Sequence, residues 1–107
     1  MGYDLHITRA TNWIENERCA IAVEEWLSVI DGDPELKLDP ENGEFAAAWQ
    51  PRGSGPGGWF DWYDGNIYTT NPSRAALRKM LAIAERLTAL VQGDDGEVYD
   101  SPEDWTA

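Results

Sequence analysis

The residue types best suited to binding chemistry lie around one predicted turn, where an acidic side chain stands among aromatic rings. Asp64-Gly65 is a preferred dipeptide for a two-residue hairpin turn, and it would join strands at 59–63 and 66–70. The alternation of side chains then places Phe60, Trp62 and Ile67 on a core face. The opposite face carries Trp59, Asp61, Tyr63 and Tyr68.

These four side chains favour a protein interface. Trp and Tyr dominate the binding energy of many interfaces, and a carboxylate among them can anchor a Lys or Arg of the partner. Two other interpretations remain open. The face could lie beneath a helix as core, or Asp61 could be one of the two carboxylates of a hydrolase, beside rings that stack on a sugar.

The acidic segment near the C-terminus is a second candidate for partner binding. It contains six acids and no bases between residues 94 and 104, and it includes a predicted turn at Asp95-Gly96. We predict that Asp94 and Asp95 contact basic residues of a partner. Weak cation binding at this turn is an alternative.

Metal and cofactor motifs fail when tested in detail. His6 is the only histidine, which excludes a multi-histidine metal centre within one chain. On an alternating strand beside Asp4 we expect it to be partly exposed and hydrogen-bonded. Asp31, Asp33 and Glu35 match the start of a calcium loop, but Leu36 and Asn42 stand where that loop requires Gly and Glu. We predict no metal, no cofactor and no catalytic residue.

The net charge restricts the classes of partner. Twenty acidic residues against eight basic ones give a formal charge of −12. Such a charge repels nucleic acid and anionic membranes and attracts basic proteins, although solubility alone is also a sufficient reason for it. A lone Cys19 excludes an internal disulfide, and no export signal or membrane span is recognisable. We therefore expect a soluble cytoplasmic protein.

Hydrophobic periodicity predicts the elements that must position these residues. Residues 3–8 alternate as a strand, and a helix begins after Ala22, with Glu25 in its first turn. Short strands follow, and a second helix starts at Asn71-Pro72 and carries an apolar stripe from Leu77 to Val91. The order predicts one α+β domain over 1–107, in which two amphipathic helices pack on one face of an antiparallel sheet. Residues 100–107 are expected to form a loose acidic tail.

Several stretches together resemble a group of small, uncharacterised acidic bacterial proteins, over nearly the whole chain. They are Tyr-Asp-Leu-His-Ile-Thr-Arg-Ala (3–10), Glu-Glu-Trp-Leu (24–27), Asp-Pro-Glu-Leu (33–36), Trp-Tyr-Asp-Gly-Asn-Ile (62–67) and Val-Gln-Gly-Asp-Asp-Gly-Glu-Val-Tyr (91–99). Proteins of this size, charge and composition are similar in type to immunity proteins, which neutralise secreted bacterial toxins. The resemblance implies no site residue.

The leading hypothesis from the sequence is therefore a non-enzymatic binding protein, an immunity-type inhibitor that occludes a toxin domain with a basic surface. The first alternative is a small carboxylate-dependent hydrolase with Asp61 in its site. The second is an accessory subunit that associates with itself through the aromatic face. The oligomeric state stays open.

Overall fold

The first strand of the chain lies inside the sheet and not at its edge. In the computed structural model, which describes residues 3–52 and 57–104, β1 (Asp4–Thr8) pairs with β5 (Asn66–Thr70) and also with β6 (Leu90–Gly93). The other strands are β2 (Leu36–Leu38), β3 (Ala47–Trp49), β4 (Gly58–Tyr63) and β7 (Val98–Tyr99). They form an antiparallel sheet of seven strands in the order β2-β3-β4-β5-β1-β6-β7.

Two helices, α1 (Val23–Asp31) and α2 (Arg74–Leu87), pack against the sheet. Their apolar side chains share one buried cluster with the inward residues of the strands, including Leu5, Phe60 and Ile67. The α+β class, with both helices on one face, is confirmed. The opposite face of the sheet, called the open face below, carries the residues that alternate with this cluster.

The start of α1 agrees with the sequence. Ala22 is the N-cap, and the Glu25 side chain accepts a hydrogen bond from the backbone N–H of Ala22 at 3.1 Å. Ala22 has no side-chain oxygen to complete the cap. Arg9 donates to the same Glu25 carboxylate and also to the carbonyl of Leu87, which links β1 to both helices.

Both ends of α2 differ from the prediction. The N-cap is Ser73, whose hydroxyl accepts from the backbone N–H of Ala76 at 3.0 Å, while Asn71 adopts a left-handed backbone and bonds to Tyr3. The helix ends at Thr88, in the left-handed conformation. Val91 therefore belongs to β6 and not to the helical stripe.

The central hairpin forms in the predicted register. Asp61 lies opposite Tyr68, Trp62 opposite Ile67 and Tyr63 opposite Asn66. Asp64 and Gly65 both have positive φ, at 50° and 89°, as a type I′ turn requires. A Cβ at Gly65 would also lie 2.7 Å from the Cβ of Ala20, so only glycine fits there.

The C-terminal segment includes a short 3-10 helix, Pro102–Asp104, which contacts α2. Residues 105–107 of the predicted loose tail lie outside the described residues. Within the described part of the chain, neither helix has the length and apolar character needed to cross a bilayer.

Candidate functional site

The aromatic face of the hairpin is accessible to solvent. Tyr63 is 73% exposed and Trp59 is 40% exposed, whereas Asp61 and Tyr68 are half-buried. The Trp59 and Tyr68 rings meet edge to face, with their centroids 5.5 Å apart. Neither of the two described helices covers this side of the hairpin, so the interpretation of Trp59, Tyr63 and Tyr68 as core is wrong.

Neighbouring strands extend this face into a polar row across the sheet. Asp61 pairs with Tyr68, Tyr68 with His6, and His6 with Gln92, so the four side chains lie side by side on the open face. Sequence reasoning found only the first two. Residues 6 and 92 are far apart in the chain, and nothing in the local pattern places β1 between β5 and β6.

The loop between β1 and α1 crosses one end of this row. The Trp13 indole stacks on the His6 imidazole, and its Nε1 donates to the carbonyl of Asp94 at 3.2 Å. Gln92, which is fully buried, accepts from the Trp13 backbone N–H and donates to the Thr11 carbonyl. The loop is therefore held on the sheet by side chains that the sequence analysis did not single out.

His6 sits at the centre of an acidic cluster. Its Nε2 lies 2.9 Å from Oδ1 of Asp94, whose Oδ2 accepts from the backbone N–H of Asp4 at 3.0 Å. Asp4 in turn accepts from the Thr70 hydroxyl at 2.7 Å. His6 is only 6% exposed, which corrects the expectation that it would be partly exposed. Asp94, predicted to meet a partner, is bonded to His6, whereas Asp95 is exposed.

One cavity on the open face, called the His6 cavity, has a volume of about 400 Å³. Three aromatic rings and two carboxylates line it, from Trp13, Tyr63, Tyr68, Asp4 and Asp64. His6, Ile14, Asn16 and Asn66 complete the lining. None of these described lining residues is Lys or Arg, so the cavity has aromatic and acidic walls.

The second, the Asp61 cavity, lies on the other side of Tyr68 and has a volume of about 300 Å³. Asp61 and Asp39 both line it, together with Trp59 and Tyr68. Sequence reasoning could not find a second carboxylate near Asp61. Asp39 follows β2, and the pairing of β2 with β3 and of β3 with β4 brings it to this cavity.

Burial shifts the pKa values of two neighbouring groups on the open face, the Asp61 carboxyl and the Tyr68 phenol. It raises the pKa of the Asp61 carboxyl above its ordinary value, although hydrogen bonds from the Trp62 backbone and the Tyr68 hydroxyl oppose the shift. Burial also raises the pKa of the Tyr68 phenol, and the nearby charges of Asp61 and Asp4 add to the effect. Tyr68 therefore remains a neutral hydroxyl that can donate a hydrogen bond.

One group of described side chains has the donor types of a metal site. Single ligand atoms of Asp4, His6 and Asp94 lie within 4.8 Å of one another. An imidazole with two carboxylates suits zinc or manganese better than calcium. These atoms already bond to one another and to Thr70, so a metal ion would have to replace those hydrogen bonds.

Comparisons with known proteins do not add to this description. No protein-family model, no curated protein and no solved structure matches the chain.

Proposed function

We propose that this chain is a non-enzymatic protein-binding module, specifically an immunity-type inhibitor that occludes a secreted bacterial toxin domain. The observation that supports the proposal best is the character of the open face. Two cavities flank Tyr68, both are lined by aromatic rings and carboxylates, and no Lys or Arg is among their described lining residues. Such a surface complements a basic protein.

The exposed rings supply the anchoring contacts in this proposal. Tyr63 and Trp59 stand on one strand and project from the side that the helices leave uncovered. Aromatic side chains of this kind carry a large share of interface energy once a partner excludes water from them. Asp61, between them on β4, is positioned to receive a basic side chain, and Asp95 is a second, exposed carboxylate.

Charge supports the choice of partner. A net charge of −12 accelerates the approach of a basic domain and disfavours nucleic acid as an alternative ligand. An inhibitor of this type would act in the cytoplasm of the cell that it protects, by covering the surface of the toxin. It needs no catalytic group of its own.

Growth protection tests the proposal. A toxin domain encoded beside this chain is expressed in cells together with the wild-type chain, with Trp59→Ala/Tyr63→Ala, or with Leu38→Ala. Leu38 is a matched control because its side chain is 43% exposed, a fraction similar to the 40% of Trp59. It lies on the helix side of the sheet, away from the open face. We expect protection by the wild type and by Leu38→Ala and its loss in the double variant.

Two results would count against the proposal. One is the absence of any toxin-like product from the neighbouring reading frames. The other is full protection by the double variant when it folds normally by circular dichroism. The second result would show that the open face takes no part in inhibition.

A second candidate function rests on the Asp61 cavity. It brings Asp39 and Asp61 together, and burial raises the pKa of Asp61, which is the direction needed for a general acid. A small carboxylate-dependent hydrolase would use such a pair. Asp61→Asn separates the two functions, because a hydrolase would lose turnover by orders of magnitude, whereas an inhibitor would only lose affinity for its partner.

A further inference from the structure

The His6 cavity has the lining that cationic side chains prefer. Its walls include the rings of Trp13, Tyr63 and Tyr68, whose faces attract a cation through their quadrupoles. The carboxylates of Asp4 and Asp64 stand at the same cavity, and no described lining residue brings a Lys or Arg to balance them. Aromatic and acidic walls together favour a positively charged ligand.

Asn66 gives an independent indication of what the ligand must offer. This residue lines the cavity and is only 8% exposed. Its Nδ2 donates to the Trp13 carbonyl at 2.8 Å, so its amide nitrogen has a partner. Its Oδ1 is the buried side-chain oxygen among the described residues that accepts no hydrogen bond. Since an unsatisfied buried acceptor costs free energy, an N–H donor that reached this oxygen would bind favourably.

We infer that the His6 cavity receives the guanidinium group of an arginine from the partner protein. A guanidinium is planar, stacks on aromatic rings and presents five N–H donors to carboxylate and amide oxygens. It therefore matches the rings and the Asp64 carboxylate at the hairpin end of the cavity, and its N–H groups are the type of donor that the Asn66 oxygen lacks. The identity of the cation's source rests on the proposed function, whereas the preference of the cavity for a guanidinium does not.

The chemistry of the cluster around His6 favours this ligand over a metal ion. The Asp94 carboxylate is already occupied by the His6 ring and by the Asp4 backbone. A guanidinium can bind to Asp64, which lies at the other end of the cavity, without breaking those bonds. A metal ion held by Asp4, His6 and Asp94 would break the contact between His6 and Asp94.

The test is an NMR titration of the ¹⁵N-labelled chain with methylguanidinium chloride at constant ionic strength. Methylurea, which is similar in shape but neutral, is the matched control ligand. We expect saturable shifts of the Trp13 indole N–H and the Asn66 side-chain amide with methylguanidinium and none with methylurea. Equal responses to both compounds would overturn the inference, as would an equal or larger response to methylammonium.

Two variants, each of which removes one negative charge, test whether the cation binds in the cavity. Asp64→Asn should weaken methylguanidinium binding about fivefold, the loss of one exposed charge pair. Asparagine is well tolerated at this turn position, so the variant keeps the hairpin. Asp31→Asn, exposed at the end of α1, should leave the affinity unchanged. Equal affinities of both variants would contradict the placement of the cation in the cavity.

The titration is independent of the growth assay. If the toxin partner is found but methylguanidinium behaves as methylurea does, the inference fails and the proposed function stands. If methylguanidinium binds as expected but no partner requires the open face, the preference of the cavity stands and the proposed function fails.

Discussion

The indole ring of Trp13 lies parallel to the imidazole ring of His6, with ring centroids 3.7 Å apart and an interplanar angle of 7°. This contact fixes the loop between β1 and α1 on the open face of the sheet. It also forms one wall of the His6 cavity, because both residues line it. The rigidity of the proposed binding surface therefore depends on a loop that has no regular secondary structure at Trp13.

We expect Trp13→Ala to destabilise the chain and to loosen this loop. The variant loses the stack on His6 and the indole hydrogen bond to the Asp94 carbonyl. Trp13 is only half-buried, so the loss of unfolding free energy should be smaller than for a tryptophan in the core. Replacing a core tryptophan by alanine costs about 3–5 kcal/mol. Urea denaturation measures it, and hydrogen exchange reports the loop. An unchanged exchange rate at residues 11–16 would contradict the role of Trp13 as an anchor.

Gln92→Met should also release the loop between β1 and α1, because the Gln92 side chain on β6 bonds to the loop backbone. Gln92 is fully buried and satisfies both the Trp13 N–H and the Thr11 carbonyl. Methionine keeps the volume but leaves these groups unpaired, at about 1–3 kcal/mol for each one that water cannot reach. Gln50→Met, at an exposed position, is the control and should change the unfolding free energy little. Equal stability of the two variants in denaturant would show that water replaces the Gln92 bonds.

The sequence predicted elements well where the signal is local. The Asp64-Gly65 turn and the register of its strands follow from a backbone that favours positive φ and from alternating side chains. The ends of α2 were missed because Asn71 uses its side chain to bind Tyr3, so Ser73 becomes the cap. Val91 was assigned to the helix because its spacing fits a helical stripe, but pairing with Ile7 places it in β6.

The candidate site was predicted only in part for the same reason. Trp59, Asp61, Tyr63 and Tyr68 belong to one hairpin, so their common face follows from alternation. His6, Trp13, Asn66 and Gln92 meet through long-range pairing and an irregular loop, for which periodicity carries no information. A buried histidine near Asp94 was not foreseeable, because alternation does not say what covers a strand.

Thr88→Gly should raise the stability of the chain. Thr88 caps α2 with φ 54° and ψ 52°, a left-handed conformation that is strained for a β-branched residue. Its side chain is exposed, so glycine removes little packing and gains about 1 kcal/mol. Ala82→Gly, on the exposed side of the same helix, is the opposite control and should lose about 1 kcal/mol. A lower melting temperature for Thr88→Gly would mean that its side chain stabilises the cap.

The association rate with a basic toxin domain should fall as salt rises. Steering by a net charge of −12 acts over the Debye length, which shrinks from about 10 Å at 0.1 M to about 3 Å at 1 M ionic strength. The dissociation rate should change less, since it reflects the packed contacts of Trp59 and Tyr63. Stopped-flow fluorescence at several salt concentrations separates the two rates. An association rate indifferent to salt would exclude electrostatic steering, while leaving the aromatic contacts to be judged by their own variants.

Asp61→Asn should stabilise the fold in a pH-dependent way while weakening partner binding. Burial raises the pKa of Asp61 in the folded state, so the folded chain holds this proton more tightly than the unfolded chain does. Wild-type stability from this group is therefore complete below the ordinary carboxyl pKa and is lost as pH rises through the raised pKa. Asparagine carries no charge to bury. The variant should match the wild type in acid and exceed it at neutral pH, by less than about 1 kcal/mol because water reaches part of the carboxylate.

Denaturation of both proteins across this pH range measures the difference, with Asp31→Asn as the control. Asp31 is exposed on the helix side, so its removal should give no comparable rise in stability with pH. A difference between Asp61→Asn and wild type that does not grow with pH would show that burial of the charge is not its cause. A gain in stability together with a loss of affinity would identify Asp61 as a binding residue whose buried charge destabilises the fold. Functional sites commonly retain residues of this kind, because activity and stability are selected separately.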